Sequence, residues 1–358
     1  MVFEHRFFTT LKNPFISGVY YLRMSHQYDF VAIGDILIDA FIELDKDQAD
    51  VSTDYDTKRM TLSMPFGNKL PYKDVVVVPA VGNSPNAAVS SHRLGLETAL
   101  VTNIGNDKFG KECLDALRQE GIHTDYVKIH EGKVTNYHYV LRYGPERTIL
   151  IKHEMYPYSL PDFAVPPRYL YFSSVGEHGI AFHHEIARYV AEHPETKLVF
   201  QPGTFQIKLG TEEIKDIYEH TEIFFCNKEE AQEILKTTEQ HLPTLLRGLQ
   251  ALGPKIPVIT DGPYGAYVID ADDQAWHMPM YPDPADPVDR TGAGDSFAST
   301  FTAAIILGKS PEEALAWGPI NSMSVVQQIG AQGGLLTREA LEQLLTDRPA
   351  EYVASKIN

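Results

Sequence analysis

The chain has 358 residues, of which 43% are hydrophobic and 22% charged, and a net charge of −17. That composition supports an ordinary buried core, and the acidity excludes nucleic acid as a main partner, because duplex affinity needs Lys and Arg on phosphates. Its two cysteines form no CxxC pair, which excludes a zinc ribbon or disulfide framework, and no run reaches the ~18 apolar residues of a membrane helix.

A reducing, cytoplasmic setting without a membrane partner is therefore the expectation. Fourteen histidines include no HExxH, so they read as core or solvated residues. Residues 1–27 carry scattered positive charge but no continuous apolar stretch, so no secretory signal is expected. They read as a poorly ordered leader, and Met24 lies just before the first convincing strand, so residues 1–23 read as appended or mis-started. A transit peptide is the alternative.

Short apolar runs follow that suit buried parallel strands: 30–34, 98–105, 169–174, 197–201, 222–227, 257–262 and 266–270. Helix-like segments lie between them at 84–95, 107–121, 183–193, 228–236 and 242–253, and beyond residue 295 the chain reads as helix almost to its end. This alternation predicts an α/β fold, an open, mostly parallel sheet covered by helices on both faces. One domain over 28–350 is expected. Two stretches break the pattern. Residues 41–80 hold no good helix, and residues 134–152 look like a hairpin turned at Gly144-Pro145. Long inserts without a role are uncommon in compact domains, so together they suggest a small β lid over a site.

The stretch "DRTGAGDSF" (289–297) runs into apolar residues Phe297, Phe301, Ala304, Ile305 and Leu307, at the spacing of one helix face. Asp295 then falls in the first helical turn, where a carboxylate suits the helix dipole. A plain helix start is one reading. In the other, the N–H groups of Gly292, Ala293 and Gly294 approach a phosphate closely, and Asp295 beside them takes the proton of an attacking hydroxyl. An anion cradle beside a base is the minimum for phosphorylating an alcohol.

"DRTGAGDSF" closely resembles the C-terminal signature of the ribokinase-like, phosphofructokinase-B type carbohydrate kinases. "VAIGDILID", "VGNSPNAAVSSHRLG", "TNIGNDKFG", "NKEE" and "TDGPYG" resemble further family pieces, in family order over about residues 29–346. The resemblance implies a three-layer ribokinase-like sandwich with a β lid and an ATP-dependent transfer to a hydroxyl of a sugar or related small molecule. It implies Asp295 as base and the Gly292–Ala293–Gly294 backbone as anion hole. Asp39 and Asp289 would bind sugar hydroxyls, with Gly82, Asn83 and Asn86 lining the same pocket. Asn227 and Glu230 would organise Mg2+ through water, and Thr260, Gly262 and Asn321 would border the nucleotide. Glu177 and Arg147 are further substrate candidates. A monovalent-cation requirement stays open. Two departures leave the sugar undetermined: Val81 stands where the family usually has a glycine, and Leu37 where an asparagine is frequent.

"GNDKFGKE" (105–112) imitates a P-loop, but Glu112 occupies the Ser/Thr position, so the motif is rejected. No GxGxxG follows the first strand, which excludes a dinucleotide site of that type. The alternative substrate class is a nucleoside, whose base would need an apolar slot from Tyr72, Tyr137 or Tyr139. A catalytically silent sugar sensor is the rival of another class. The exposed edge of the lid suggests a homodimer.

Overall fold

A computed structural model describes residues 27–54, 59–144 and 146–357 of the chain. The expected leader, residue 27 apart, and Pro145 of the expected turn lie outside these residues.

Ten strands form the central sheet. In spatial order they are 355–357, 275–278, 266–269, 256–260, 221–227, 197–200, 169–172, 30–33, 98–105 and 127–130. From 256–260 to 127–130 every pairing is parallel, whereas the strands beyond 256–260 pair antiparallel. The seven strands expected from apolar runs all form. One of them is corrected in direction: Ala266–Ile269 returns along Ile256–Thr260 after a tight turn at Gly262–Tyr264. Both strands are buried, so composition alone did not distinguish a return from a crossover.

Two hydrophobic clusters pack the two faces of this sheet. Phe30, Tyr171, Ile223 and Phe301 belong to one, and Val31, Phe172, Phe200 and Phe224 to the other. Alternation along each parallel strand thus feeds both faces, which explains the continuous apolar runs. The helix Ala293–Ile306 is buried over almost its whole length, not along one stripe. It lies against Asn83–Arg93 and Pro311–Val325. That burial fixes the start of the helix rigidly against the sheet.

The lid is a four-stranded sheet in the order Tyr72–Val81, Leu37–Leu44, Asn136–Tyr143, Glu146–Leu150. Its first strand starts at Leu37, before the expected boundary at 41, so Asp39 is a lid residue. Asp50–Thr53 and Met60–Ser63 pair as a separate small ribbon. On the lid, Asp39, His138 and Val78 share one row and face inward, while Ala40, Tyr139 and Val77 share the next.

Candidate active site

A cleft of about 750 Å3 opens at the carboxyl ends of the parallel strands, under the inward face of the lid. Asp35, Ser174, Gln201, Asn227 and Thr260 each follow or end a different strand and line it. This is where open α/β sheets bind ligands, because strand ends and helix starts converge there. Asp39, Gly82, Asn83, Asn86, Arg147, Asn227, Glu230, Thr260, Gly262, Gly292, Gly294 and Asp295 all line this one cleft. The sequence spreads them over more than 250 positions.

Asp295 sits at its centre, 8% exposed. Its Oδ1 accepts from Asn83 Nδ2 at 2.7 Å and Gln201 Nε2 at 3.3 Å, and its Oδ2 accepts from Asn86 Nδ2 at 2.8 Å. Burial raises its pKa above the usual carboxylate range, while Asn86, Asn83, Gln201 and the Arg147 charge oppose that rise. Neutral amides hold the side chain in place without a bonded cation to quench its basicity. Gln201 is one of the residues that sequence reasoning missed. Tyr171 donates its hydroxyl to Gln201 Oε1, which turns the amide N–H toward Asp295.

The helix start before Asp295 is built open. Gly292 is its N-cap with φ +82°, and no side chain caps the first turn. An added Cβ at Gly292 would stand 2.3 Å from Ala331 Cβ, so both the backbone angle and the space require glycine. At Gly294 the nearest atom to an added Cβ is Gln201 Nε2 at 4.0 Å, leaving that backbone open to the cleft. The orphan N–H groups of a first turn and the positive helix end together suit an anion. Ala293 is held from behind, its carbonyl accepting from Ser296 Oγ and Ser322 Oγ.

Asp289 needs a correction. It is 1% exposed and does not line the cleft. Its Oδ1 accepts from Thr291 N and Thr291 Oγ1, and its Oδ2 from Gly330 N. Both oxygens are spent shaping the turn that leads to Gly292, so its hydroxyl-binding role does not fit this geometry.

The far end of the cleft carries charged and imidazole groups. Asp39 is buried, its pKa lifted to about 7 by burial and by the Asp289 charge, against the pull of Arg147. Its Oδ1 has no hydrogen-bond partner, and His138 Nδ1 lies 3.8 Å away. Burial drives His138 down to about 4, so it is neutral at pH 7. Asp35 accepts from Tyr158 Oη at 2.9 and 3.0 Å and pairs with His153 Nδ1 at 3.1 Å. Sequence reading named none of Asp35, His138, His153 and Tyr158. Only Asp35 had a signal, its place four residues before Asp39 in the first motif.

At the other end, Asn227 and Glu230 form a reciprocal helix cap: Glu230 N donates to Asn227 Oδ1 and Asn227 N to Glu230 Oε2, each at 2.8 Å. One oxygen of each is therefore committed to the fold. The second Glu230 oxygen remains for a ligand, and burial raises its pKa. Among the described residues no group of three or more His, Cys, Asp or Glu side chains could hold a metal ion.

Further expectations are corrected. Asn321 is fully buried; it donates to Thr300 Oγ1 at 2.7 Å and accepts from Leu336 N at 3.0 Å, tying helices together away from the cleft. Glu177 is exposed and does not line the cleft. Tyr72 and Tyr139 are exposed, and Tyr137 packs on Phe109 with ring centroids 4.8 Å apart. None of the three tyrosines lines the cleft. The rejected P-loop is a helix N-cap: Gly110 N donates to Asp107 Oδ1 at 2.8 Å, so a carboxylate occupies the place a phosphate would need.

The sequence model of the pfkB family carbohydrate kinases matches residues 52–338. The chain belongs to that family. It is a carbohydrate kinase, a phosphotransferase with a ribokinase-like fold. Its relatives include the ribokinase of Bacillus subtilis, 28% identical over 273 residues covering 74% of this chain and 87% of that one. A 5-dehydro-2-deoxygluconokinase of Halalkalibacterium halodurans is 24% identical over 286 residues, 74% of this chain and 85% of the relative. Among solved structures, Arabidopsis thaliana ribokinase complexed with ribose and ATP superposes with a TM-score of 0.73 at 20% identity, over 89% of this chain and 99% of that one. A Methanocaldococcus jannaschii nucleoside kinase gives 0.71 at 17% identity, over 90% and 99%.

Proposed function

We propose that this kinase moves the terminal phosphoryl group of ATP to a hydroxyl, of primary type, on a sugar or sugar-like acceptor. The observation that carries the reading is the juxtaposition of the uncapped helix start at Gly292 with the amide-held carboxylate of Asp295 in one cleft. The acceptor lies at the Asp39, Asn83 and Asn86 end, and the nucleotide at the Thr260 and Gly262 end. Asp295 takes the hydroxyl proton as the oxygen attacks the terminal phosphorus, and the bond to the leaving ADP oxygen breaks with its electron pair. The backbone amides of residues 292–294 receive the charge of the transferring group. One such preorganised donor is worth roughly 2.7–4 kcal/mol, and the positioned base about 10²–10⁴-fold.

Glu230 and Asn227 fit magnesium in the mode in which phosphates and water supply most ligands, since the chain offers few oxygens of its own there. The ion would neutralise phosphate charge. The lid keeps water from the phosphoryl group, so that sugar and not solvent accepts it.

A sugar is favoured over a nucleoside because the tyrosines that could have made a base slot lie outside the cleft. A homodimer through the lid also belongs to this reading. The row Val77, Ala40, Tyr139, Leu150 runs across all four strands as apolar side chains, with Val77, Tyr139 and Leu150 about half exposed. A second copy of the same row is self-complementary about a two-fold axis. Light scattering tests it: a mass of one chain removes the dimer.

ADP release with ATP, magnesium and a panel of sugars and nucleosides tests the function. Acceptor-dependent release with a sugar supports it. Sugar binding without ADP release would make the protein a sensor.

A further inference from the structure

The lid hairpin Asn136–Tyr143 with Glu146–Leu150 places Arg142 directly opposite Arg147. Cross-strand partners share a face, and the acid next in that row, Glu43, stands beside Arg142 rather than Arg147 and pairs with Lys73 at 2.7 Å. The two guanidinium groups are not equivalent. Arg142 is buried and donates Nη2 to the Val288 carbonyl at 3.1 Å. Arg147 lines the cleft, and its Nε–H is buried with no hydrogen-bond partner. No salt bridge to Arg147 forms among the described residues.

The acids nearby do not take it. Asp35 is engaged by Tyr158 and His153, and Asp295 by three amides. Asp39 feels the Arg147 charge but keeps an unbonded Oδ1. Arg290, which also lines the cleft, lies 3.9 Å from Glu146, with both side chains about 60% exposed, and its charge also acts on Asp283. The cleft therefore holds a cationic fork that the fold does not satisfy, on a protein whose net charge is −17. A guanidinium matches the two oxygens of a carboxylate or phosphate in one plane. An anion approaching so acidic a protein needs a local cation of this kind.

We infer that the acceptor carries a negatively charged group, a carboxylate or a phosphate ester, besides the hydroxyl that is phosphorylated, and that Arg147 binds that group. This rests on the reading of the cleft as the acceptor site. The transferring phosphoryl group is the other anion within reach, since the Arg147 charge also acts on Asp295. The two sources separate by assay.

The experiment measures kcat/KM by ADP release for three matched acceptors: fructose, fructose 6-phosphate and 2-keto-gluconate, then the same set with glucose, glucose 6-phosphate and gluconate. The wild-type enzyme is expected to favour a charged member over its neutral parent by at least about tenfold. In Arg147→Met that preference collapses to near unity, chiefly through KM of the charged acceptor, and Arg147→Lys restores part of it. Preference for the phosphate or the carboxylate member identifies the group. Turnover of neutral members only, or of no charged member, overturns the inference. So does an Arg147→Met enzyme that loses the same factor on charged and neutral acceptors, because the arginine then serves the transferring phosphoryl group. Asp295→Asn in the same assay keeps the two readings apart. If it abolishes turnover while Arg147→Met leaves the preference intact, only the anion inference falls. If it leaves turnover intact, the acceptor-site reading falls as well.

Discussion

Replacing Asp39 with Asn tests whether the acceptor end of the cleft stores electrostatic strain. The Asp39 carboxyl is 8% exposed, one of its oxygens has no partner, and its pKa stands at about 7 against an ordinary 3.8. The sign follows from the proton count. Between those two values the folded chain holds a proton that the unfolded chain has released, so stability falls as pH rises from about 4 to 7 and then levels off. The rise from 3.8 to about 7 corresponds at ~1.36 kcal/mol per pH unit to a penalty of about 4 kcal/mol above pH 7. Asn cannot ionise, fills nearly the same volume and carries no such penalty. Thermal unfolding of wild type and Asp39→Asn, followed at pH 5 and pH 8, reads the difference. The variant should melt within a few degrees of wild type at pH 5 and about 5–10 °C above it at pH 8, while its turnover of acceptor falls. An equal pH dependence in both proteins, or a variant that melts lower at pH 8, would refute the reasoning.

Other outcomes follow from the same geometry. Gln201→Leu removes one of three donors to Asp295, so burial weighs more and the carboxyl pKa rises further. The acid limb of kcat/KM should move upward, and an unmoved limb contradicts the role of Gln201. Gly292→Ala adds a Cβ 2.3 Å from Ala331 at a φ of +82°. It should lower the melting temperature and cut kcat by about 10²-fold or more, and wild-type kcat in this variant would remove the anion hole.

The fold was legible because its central strands are buried on both faces, so seven continuous apolar runs are the seven strands expected. Strands 275–278, 355–357 and 127–130 escaped notice because they carry polar residues, such as His277, Ser355, Lys356, Lys128 and His130, where the strands that were found have a continuous apolar run. At the site, motifs gave the residues that the local turn itself presents, such as Asn83, Asn86, Gly292 and Asp295. They misplaced Asp289, inside the motif, and Asn321, on the following helix, which both spend their polar atoms inside the fold. Gln201, His138 and His153 have no local signature. Sheet packing and the lid bring them to the cleft from the end of strand 197–200, from strand 136–143 and from the segment after strand 146–150, and spacing along the chain does not encode that. The position of Asp35 beside Tyr158 is likewise visible only in three dimensions.

The account stands or falls on Asp295 as the proton acceptor. The most direct measurement is the rate of phosphoryl transfer by Asp295→Asn at saturating ATP and acceptor, alongside its affinity for ATP. The amide keeps the size of the side chain but cannot take the hydroxyl proton. The predicted result is a fall in kcat by about 10²–10⁴-fold with ATP affinity within about threefold of wild type. A variant that transfers phosphate at the wild-type rate would contradict it.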